Sequence, residues 1–386
     1  IEEIMEAISR KNDGINKKII VTGCLAERYQ KQMDEEFPEI DAVVGIAKND
    51  DIVEIINSVM LDRRVVTFGD KLCHNMEGDK LQSTLPHYAY LRIADGCSNK
   101  CSYCAIPLIR GKMRSRKMEN IIEEAKKFAE NGVKELVIVA QDVTAYGIDL
   151  YKKYALPDLL KQLCKIDGIK WIRLLYCYPE RMTDELIETI KTEDKVLNYI
   201  DIPIQHCNKE ILRNMYRGGD EQSLRELFAK LRREIPGVVL RTTLITGFPG
   251  ETEEQFSELA EFVNDIKFER LGCFAYSAEE DTPAAEMPDQ VDEGERQRRA
   301  DIITSEQEIR MGEYYAGMVG NTYEVVCEGF DRYSDMYFGR SMHFAPEIDG
   351  MIYFTSAKDK GSLAIGDFVN VKITDVLENN LLGERV

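Results

Sequence analysis

The sequence has 386 residues, 69 acidic against 50 basic side chains and a net charge of −19. That length predicts two or three domains, and an apolar content of 44% supports a real core. No run of about 20 apolar residues is present, which excludes a membrane-spanning helix, and no signal-peptide pattern opens the chain. Ten cysteines, mostly scattered singly, do not make a secreted disulfide framework and point to a reducing cytoplasm. The acidic balance argues against a polyanionic partner and for a basic protein one.

In chain order, residues 1–60 alternate helix and strand. Ile1 to Ile8 reads as helix. Lys17 to Thr22 is rich in β-branched residues and strand-like, and Leu25 to Phe37 reads as one helix. Asp41 to Gly45 is a second strand and Lys48 to Val59 a further helix, so this is the remainder of an open α/β domain. Residues 61–86 form a polar connection with one short strand at Val65-Val66.

Residues 87–290 repeat a strand–helix unit. Strands are expected near Tyr90–Ala94, Leu136–Ala140, Trp171–Leu175, Tyr199–Ile202, Val238–Thr243 and Leu271–Tyr276, with helices between them. Six such units imply parallel strands with right-handed crossovers, as a doubly wound sheet or a partial (β/α)6 barrel. Either way, ligands bind at the C-terminal strand ends. Residues 291–317 are a linking helix, with Ile302, Ile303 and Ile309 at roughly helical intervals. Residues 318–386 show short strands and turn signals at Asp349-Gly350 and Gly366-Asp367, which predicts a small antiparallel β-barrel.

Just after the first of these strands lies Gly96-Cys97-Ser98-Asn99-Lys100-Cys101-Ser102-Tyr103-Cys104. Three thiolates at C-x₃-C-x₂-C can hold three irons of a [4Fe–4S] cluster, which normally takes four cysteines, and leave the fourth iron open. A structural zinc is the alternative, but zinc wants four ligands and no fourth Cys or His lies at ligand spacing. The nearest are Cys73, His74 and His87.

The motif resembles that of the radical S-adenosylmethionine (SAM) enzymes. Over essentially the whole chain the sequence resembles the radical-SAM methylthiotransferases. The likeness rests on Thr22-Gly23-Cys24-Leu25-Ala26, on the cysteine motif continuing through Ala105-Ile106-Pro107 and Arg110-Gly111-Lys112-Met113-Arg114-Ser115-Arg116, and on Val139-Ala140-Gln141-Asp142. It continues in Asp201-Ile202-Pro203-Ile204-Gln205-His206 and Gly247-Phe248-Pro249-Gly250-Glu251-Thr252. The resemblance implies an α/β methylthiotransferase domain, a radical-SAM partial barrel and a C-terminal barrel called TRAM. The strand at Asp201 is similar to the branch that puts a methylthio group on C3 of an aspartate in small-subunit ribosomal protein twelve. The other branch acts on isopentenyl-adenosine in transfer RNA and usually carries Ser-Gly after the Gln. A third reading, from another class, is a non-catalytic cluster-containing binding protein.

The resemblance also assigns sites. Cys97, Cys101 and Cys104 are the catalytic cluster ligands. Cys24 is a ligand of a second [4Fe–4S] cluster, whose other ligands lie upstream of the point matching Ile1. The chain therefore reads as cut at its N-terminus and its second cluster as incomplete. Tyr103 flanks SAM or merely shields the cluster from water. Gln141 replaces part of the superfamily's Gly-Gly-Glu run, which leaves a SAM contact or a plain strand-end turn. Gln205 and Arg241 are polar groups among apolar neighbours and need partners; Arg241 can pair with the SAM carboxylate or with a core carboxylate. His206 reads as a structural histidine. Gly247 to Glu251 contacts adenine and ribose by resemblance, although Thr243 departs from the family pattern, and Thr252 with Gln255 reads as a capping box. Arg110, Lys112, Arg114 and Arg116 form a basic run that is a solvated face or a contact surface. The remaining cysteines read as packing residues or free thiols.

The C-terminal barrel carries six Lys/Arg and eleven Asp/Glu, a charge of 6 − 11 = −5, which suits a basic ribosomal protein better than transfer RNA. Asp331, Asp335, Glu347 and Asp349 are its candidate docking acids. The expected protein is a cytoplasmic monomer served by an electron donor.

Overall fold

The computed structural model describes residues 1–78, 81–357 and 360–386. The chain forms two compact units. The first holds Ile1–Lys80, Asp95–Lys100 and Cys104–Arg114; the second holds Leu81–Ala94, Cys101–Tyr103 and Ser115–Val386.

The first unit is built on a parallel sheet of β1 (Ile20–Thr22), β2 (Ala42–Val44) and β3 (Val65–Thr67), with β2 central. Both faces of β2 are covered, which is why Ala42-Val43-Val44 is an unbroken apolar run. On one side α1 (Glu2–Asn12) places Ile4 and Ile8, one turn apart, against Ile19, Met33, Ile40 and Val43. On the other, Ile55 and Val59 of α4 (Ile52–Met60) meet Ala42 and Val44. The single helix expected over Leu25–Phe37 is two, α2 (Cys24–Arg28) and α3 (Gln30–Glu36). They break at Tyr29, whose ψ of 34° lies outside the helical range. The strand at Val65-Val66, expected in a connection, is the third strand of this sheet. The short helix α5 (Ile106–Arg110) also belongs to this unit.

Along the chain follow β4 (Tyr88–Arg92), β5 (Ala94–Asp95), β6 (Arg114–Ser115), β7 (Glu135–Val139), β8 (Trp171–Leu174), β9 (Val196–Asp201), β10 (Val239–Thr246) and β11 (Arg270–Ala275). In the second unit six of these pair in parallel, in the order β4-β7-β8-β9-β10-β11. Helices cross between them: α6 (Met118–Glu130), α7 (Leu156–Leu163), α8 (Asp184–Thr192), α9 (Lys209–Asn214), α10 (Glu221–Glu234) and α11 (Glu253–Ile266). The capping box read from Thr252 and Gln255 opens α11, a device that contributes about 1 kcal/mol.

One face of the six-stranded sheet carries Tyr88, Val137, Trp171, Leu197, Tyr199 and Val239, packed against Val326 and Ala345 of the C-terminal module. Several sit at the N-terminal ends of their strands, so that end is covered and the C-terminal ends carry the functional loops. The linking helix is α12 (Glu293–Met318). Ile303 is fully buried, but Ile309 is 68% exposed, contrary to the helical interval read from the sequence. A six-residue step is about 600° around a helix, a turn and two-thirds, and puts the side chain on a different face.

The C-terminal module closes as β12 (Thr322–Asp331), β13 (Met336–Arg340), β14 (Ile352–Thr355), β16 (Asn380–Arg385) and β15 (Phe368–Leu377). It is not wholly antiparallel: β14 and β16 pair in parallel. A ring of five strands cannot alternate direction throughout, so one parallel pair is forced. Phe344, Phe354, Val371, Ile373 and Leu381 fill it, and Tyr315 and Met318 of α12 join that core.

Candidate active site

The cysteine loop starts at Gly96, whose φ is +73° and where a Cβ would stand 2.4 Å from the Lys112 carbonyl oxygen. Only glycine fits there. Cys97 N–H then donates to the Gly111 carbonyl at 3.1 Å, and Met113 N–H to Ser98 Oγ at 3.2 Å. These contacts lie in the first unit. Cys101, Ser102 and Tyr103 belong to the second. There Ser102 N–H donates to the Met215 carbonyl and Ser102 Oγ to the Asn214 carbonyl. The three cysteines are half-buried and none is in a disulfide.

The spacing of three soft thiols within eight residues of sequence is that of a four-iron cluster with one iron left open. Among the described residues no three or more His, Cys, Asp or Glu side chains stand together as ligands of a single ion would. A cubane puts each thiolate on a different iron.

Tyr103 packs its ring among Ile211, Met215, Phe248 and Tyr276. Its hydroxyl accepts from Arg217 Nη1 at 3.4 Å, and burial pushes the phenol's pKa up. Gln141 follows β7 and has a buried Oε1 without a hydrogen-bond donor. Such an atom costs about 1–3 kcal/mol unless a ligand satisfies it, so Gln141 fits a polar contact to SAM. Beside it, Asp142 accepts from Arg181 Nη1 at 2.5 Å and from Thr144 Oγ1 at 2.6 Å.

Gln205, 9% exposed, holds φ at +69°, a conformation a non-glycine residue rarely adopts. Its backbone bridges β10, with N–H to the Thr243 carbonyl at 2.9 Å and its carbonyl accepting from Ile245 at 2.8 Å. Arg241 has a core partner, Asp201 Oδ1, at 2.9 Å. Asp201 is fully buried, and desolvation raises its pKa despite Arg241 and the Tyr176 N–H at 2.9 Å.

His206 is fully buried and Nδ1 accepts from Asn208 N–H at 2.9 Å. That places the proton on Nε2, 3.5 Å from Glu251 Oε2. Those two atoms are not hydrogen-bonded, but the other oxygen of Glu251 accepts from Gly247 N–H at 3.0 Å and from Arg299 Nη1 at 2.8 Å. Burial opposes its charge, yet the His206 ring beside it and these two donors hold its carboxyl below the usual range. The loop after β10 is therefore clamped to α12. Gly247, at φ +68°, lies so close to Arg296 that a Cβ would meet it at 2.4 Å.

In the first unit Cys24 Sγ accepts from Arg110 Nη2 at 3.3 Å, while Arg110 Nη1 pairs with Asp95 at 2.9 Å. Arg114 donates to the His74 ring at 2.8 Å. In the second unit Arg116, 2% exposed, donates to the Arg92 carbonyl at 2.7 Å. Arg110, Arg114 and Arg116 are internal ties, whereas Lys112 is exposed.

Of the proposed docking acids, Asp349 is internal, while Glu347 is exposed and tied to two tyrosines. Tyr88 and Tyr90 donate to Glu347 at 2.8 and 3.0 Å, and Tyr199 donates to Asp349 at 2.7 Å. The loop carrying them is the plug between the module and the parallel strands. The residues the sequence did not single out are Tyr178 and Arg217. Tyr178 follows the C-terminal end of β8, and that position is the signal that could have found it.

Residues 91–263 match the Radical SAM superfamily model and 319–386 the TRAM domain model. The chain is 48% identical over 362 residues, 94% of its length, to the ribosomal protein uS12 methylthiotransferase RimO of Caldanaerobacter subterraneus subsp. tengcongensis, covering 82% of that protein. It is 45% identical over all 386 residues to the RimO of Clostridioides difficile (strain 630), covering 86% of it. Among solved structures, the radical SAM methyltransferase TsrM from Kitasatospora setae, with tryptophan and a SAM analogue bound, matches with a TM-score of 0.57 at 14% identity, over 72% of this chain and 59% of that one. The cobalamin-dependent enzyme OxsB matches with a TM-score of 0.51, over 80% and 45%. Those two likenesses show the fold alone.

Proposed function

Because the chain belongs to the RimO family of radical-SAM methylthiotransferases, we infer that it is a transferase that adds a methylthio group to ribosomal protein uS12, at C3 of an aspartate. The observation that carries this reading is the Cys97–Cys104 loop at the C-terminal end of the first parallel strand, in a chain similar to RimO proteins over nearly its whole length.

Cys97, Cys101 and Cys104 would hold the cluster. When bound, a [4Fe–4S] cluster with one open iron supplies a docking point for SAM and an electron to it. The chain's own groups supply position and dryness. Tyr103 and its apolar neighbours exclude water from the loop. Gln141 offers SAM an unsatisfied oxygen, and Gln205 is held at a strand end in a backbone geometry that tertiary contacts enforce. Arg241 pairs with the buried Asp201, its register partner across β9 and β10. Cys24, with the Arg110 guanidinium on its sulfur, is the candidate ligand of a second cluster.

The acidic C-terminal barrel supports a basic protein substrate over transfer RNA. The test uses the protein extended upstream of Ile1 with the second cluster's other ligands: anaerobic reconstitution with iron and sulfide, then incubation with SAM, reductant and uS12, with peptide mass mapping. A methylthio group on one aspartate is expected. Reductive SAM cleavage with no change in uS12 would overturn the substrate, and absence of cleavage would overturn the enzyme class.

A further inference from the structure

Tyr178 Oη lies 3.7 Å from Cys101 Sγ. A thiolate that holds iron carries no hydrogen, so the phenol must be the donor in that contact. The tyrosine is fixed for the role. Its backbone N–H donates to Thr144 Oγ1 at 3.1 Å, and two guanidiniums lie on its ring, Arg217 at 4.2 Å and Arg181 at 4.7 Å from the centroid. Both distances are within cation–π range.

The two arginines differ. Arg181 is neutralised by Asp142. Arg217 is 9% exposed and is tied to the Pro203 carbonyl at 2.8 Å and to Tyr103 Oη at 3.4 Å. Neither partner is an anion. A buried cation costs free energy unless an anion sits near it. The anion this pocket can supply is the thiolate of Cys101 and the group it holds. A four-iron cluster on three thiolates has net charge −1 when oxidised and −2 when reduced. A donor and a cation at one corner therefore favour the reduced form, because that form has more negative charge to stabilise.

We propose that Tyr178, backed by the buried Arg217, donates its hydroxyl hydrogen to the Cys101 thiolate and raises the reduction potential of the cluster held there. Tyr178 is a positioning and tuning residue and need not touch SAM. The inference rests on the reading of Cys101 as a cluster ligand.

The test compares three anaerobically reconstituted proteins without SAM: the unsubstituted chain, Tyr178→Phe, and the chain with Tyr178 replaced by 3-fluorotyrosine, a stronger donor of nearly the same shape. The readouts are iron content and the midpoint potential from a redox titration followed by electron paramagnetic resonance. The expected result is equal iron in all three, a midpoint shifted negative in Tyr178→Phe and shifted positive in the fluorinated protein. Equal midpoints in all three overturn the inference while leaving the ligand reading intact. A missing [4Fe–4S] signal in the unsubstituted chain overturns the ligand reading and this inference with it. Should Tyr178→Phe lose its iron, the sign of the fluorotyrosine shift decides alone.

Discussion

Arg340 on β13 donates Nη2 to Glu135 Oε2 at the start of β7, at 2.8 Å and across 205 residues of sequence. Both side chains are 1% exposed. Arg340 also gives Nε to Glu328 Oε1 at 2.8 Å, and Glu135 takes Arg173 Nε at 2.7 Å. His87 closes the chain on Glu328 at 2.9 Å. These charges are sealed where the C-terminal module meets the parallel strands. Removing one partner of a buried pair strands the other, which costs about 3–5 kcal/mol. Arg340→Ala should lose that much in urea denaturation. Arg340→Lys should recover only part, because one ammonium cannot fork to two carboxylates as guanidinium does. A loss under about 1 kcal/mol in Arg340→Ala would show that the network contributes little.

The same network sets an acid limit. Burial opposes the charge on Glu135, but Arg340 and Arg173 overcome it and lower its pKa to about 2 from the ordinary 4.5. The folded-state pKa is depressed, so the stabilisation is fully present above about 4.5 and is lost as pH falls toward about 2. Denaturation midpoints measured downward from about pH 6 should hold steady and then fall below about 4.5. A profile flat to about pH 3 contradicts the assignment.

Gln141 is predicted to trade stability for binding. Its buried oxygen has no donor, so Gln141→Leu should leave stability unchanged or raise it by about 1 kcal/mol. SAM affinity of the reconstituted protein should fall by about tenfold, the worth of about one hydrogen bond. Denaturation together with equilibrium SAM binding checks both halves. Lower stability with unchanged affinity would make Gln141 a plain structural residue.

Much of this was legible because the signals are local. The cysteine loop, the alternating strands and helices and the Thr252 capping box all lie within short windows. Tyr178 was not legible, since its bond to Cys101 spans 77 residues. For the same reason Asp349 reads as a surface acid: loop sequence carries no mark of Tyr199, which covers it.

Charge on the C-terminal barrel should govern substrate capture. The exposed acids for this test are Asp335, Asp375 and Glu384. Reversing the three to Lys should slow association with uS12 and flatten its salt dependence. Stability should change little, since exposed charges contribute less than about 1 kcal/mol each. Association rates at two salt concentrations give the answer, and rates that match the unsubstituted chain at both would remove the barrel's charge from the account.

The most direct measurement offers both substrates at once. The protein extended upstream of Ile1 with the second cluster's other ligands is reconstituted and incubated anaerobically with SAM, reductant and equimolar uS12 and transfer RNA, alongside its Cys101→Ala variant. Mass spectrometry of each substrate is expected to find a methylthio group on one uS12 aspartate, none on the RNA, and none on either with Cys101→Ala. A methylthio group on the RNA with uS12 unchanged would contradict the account.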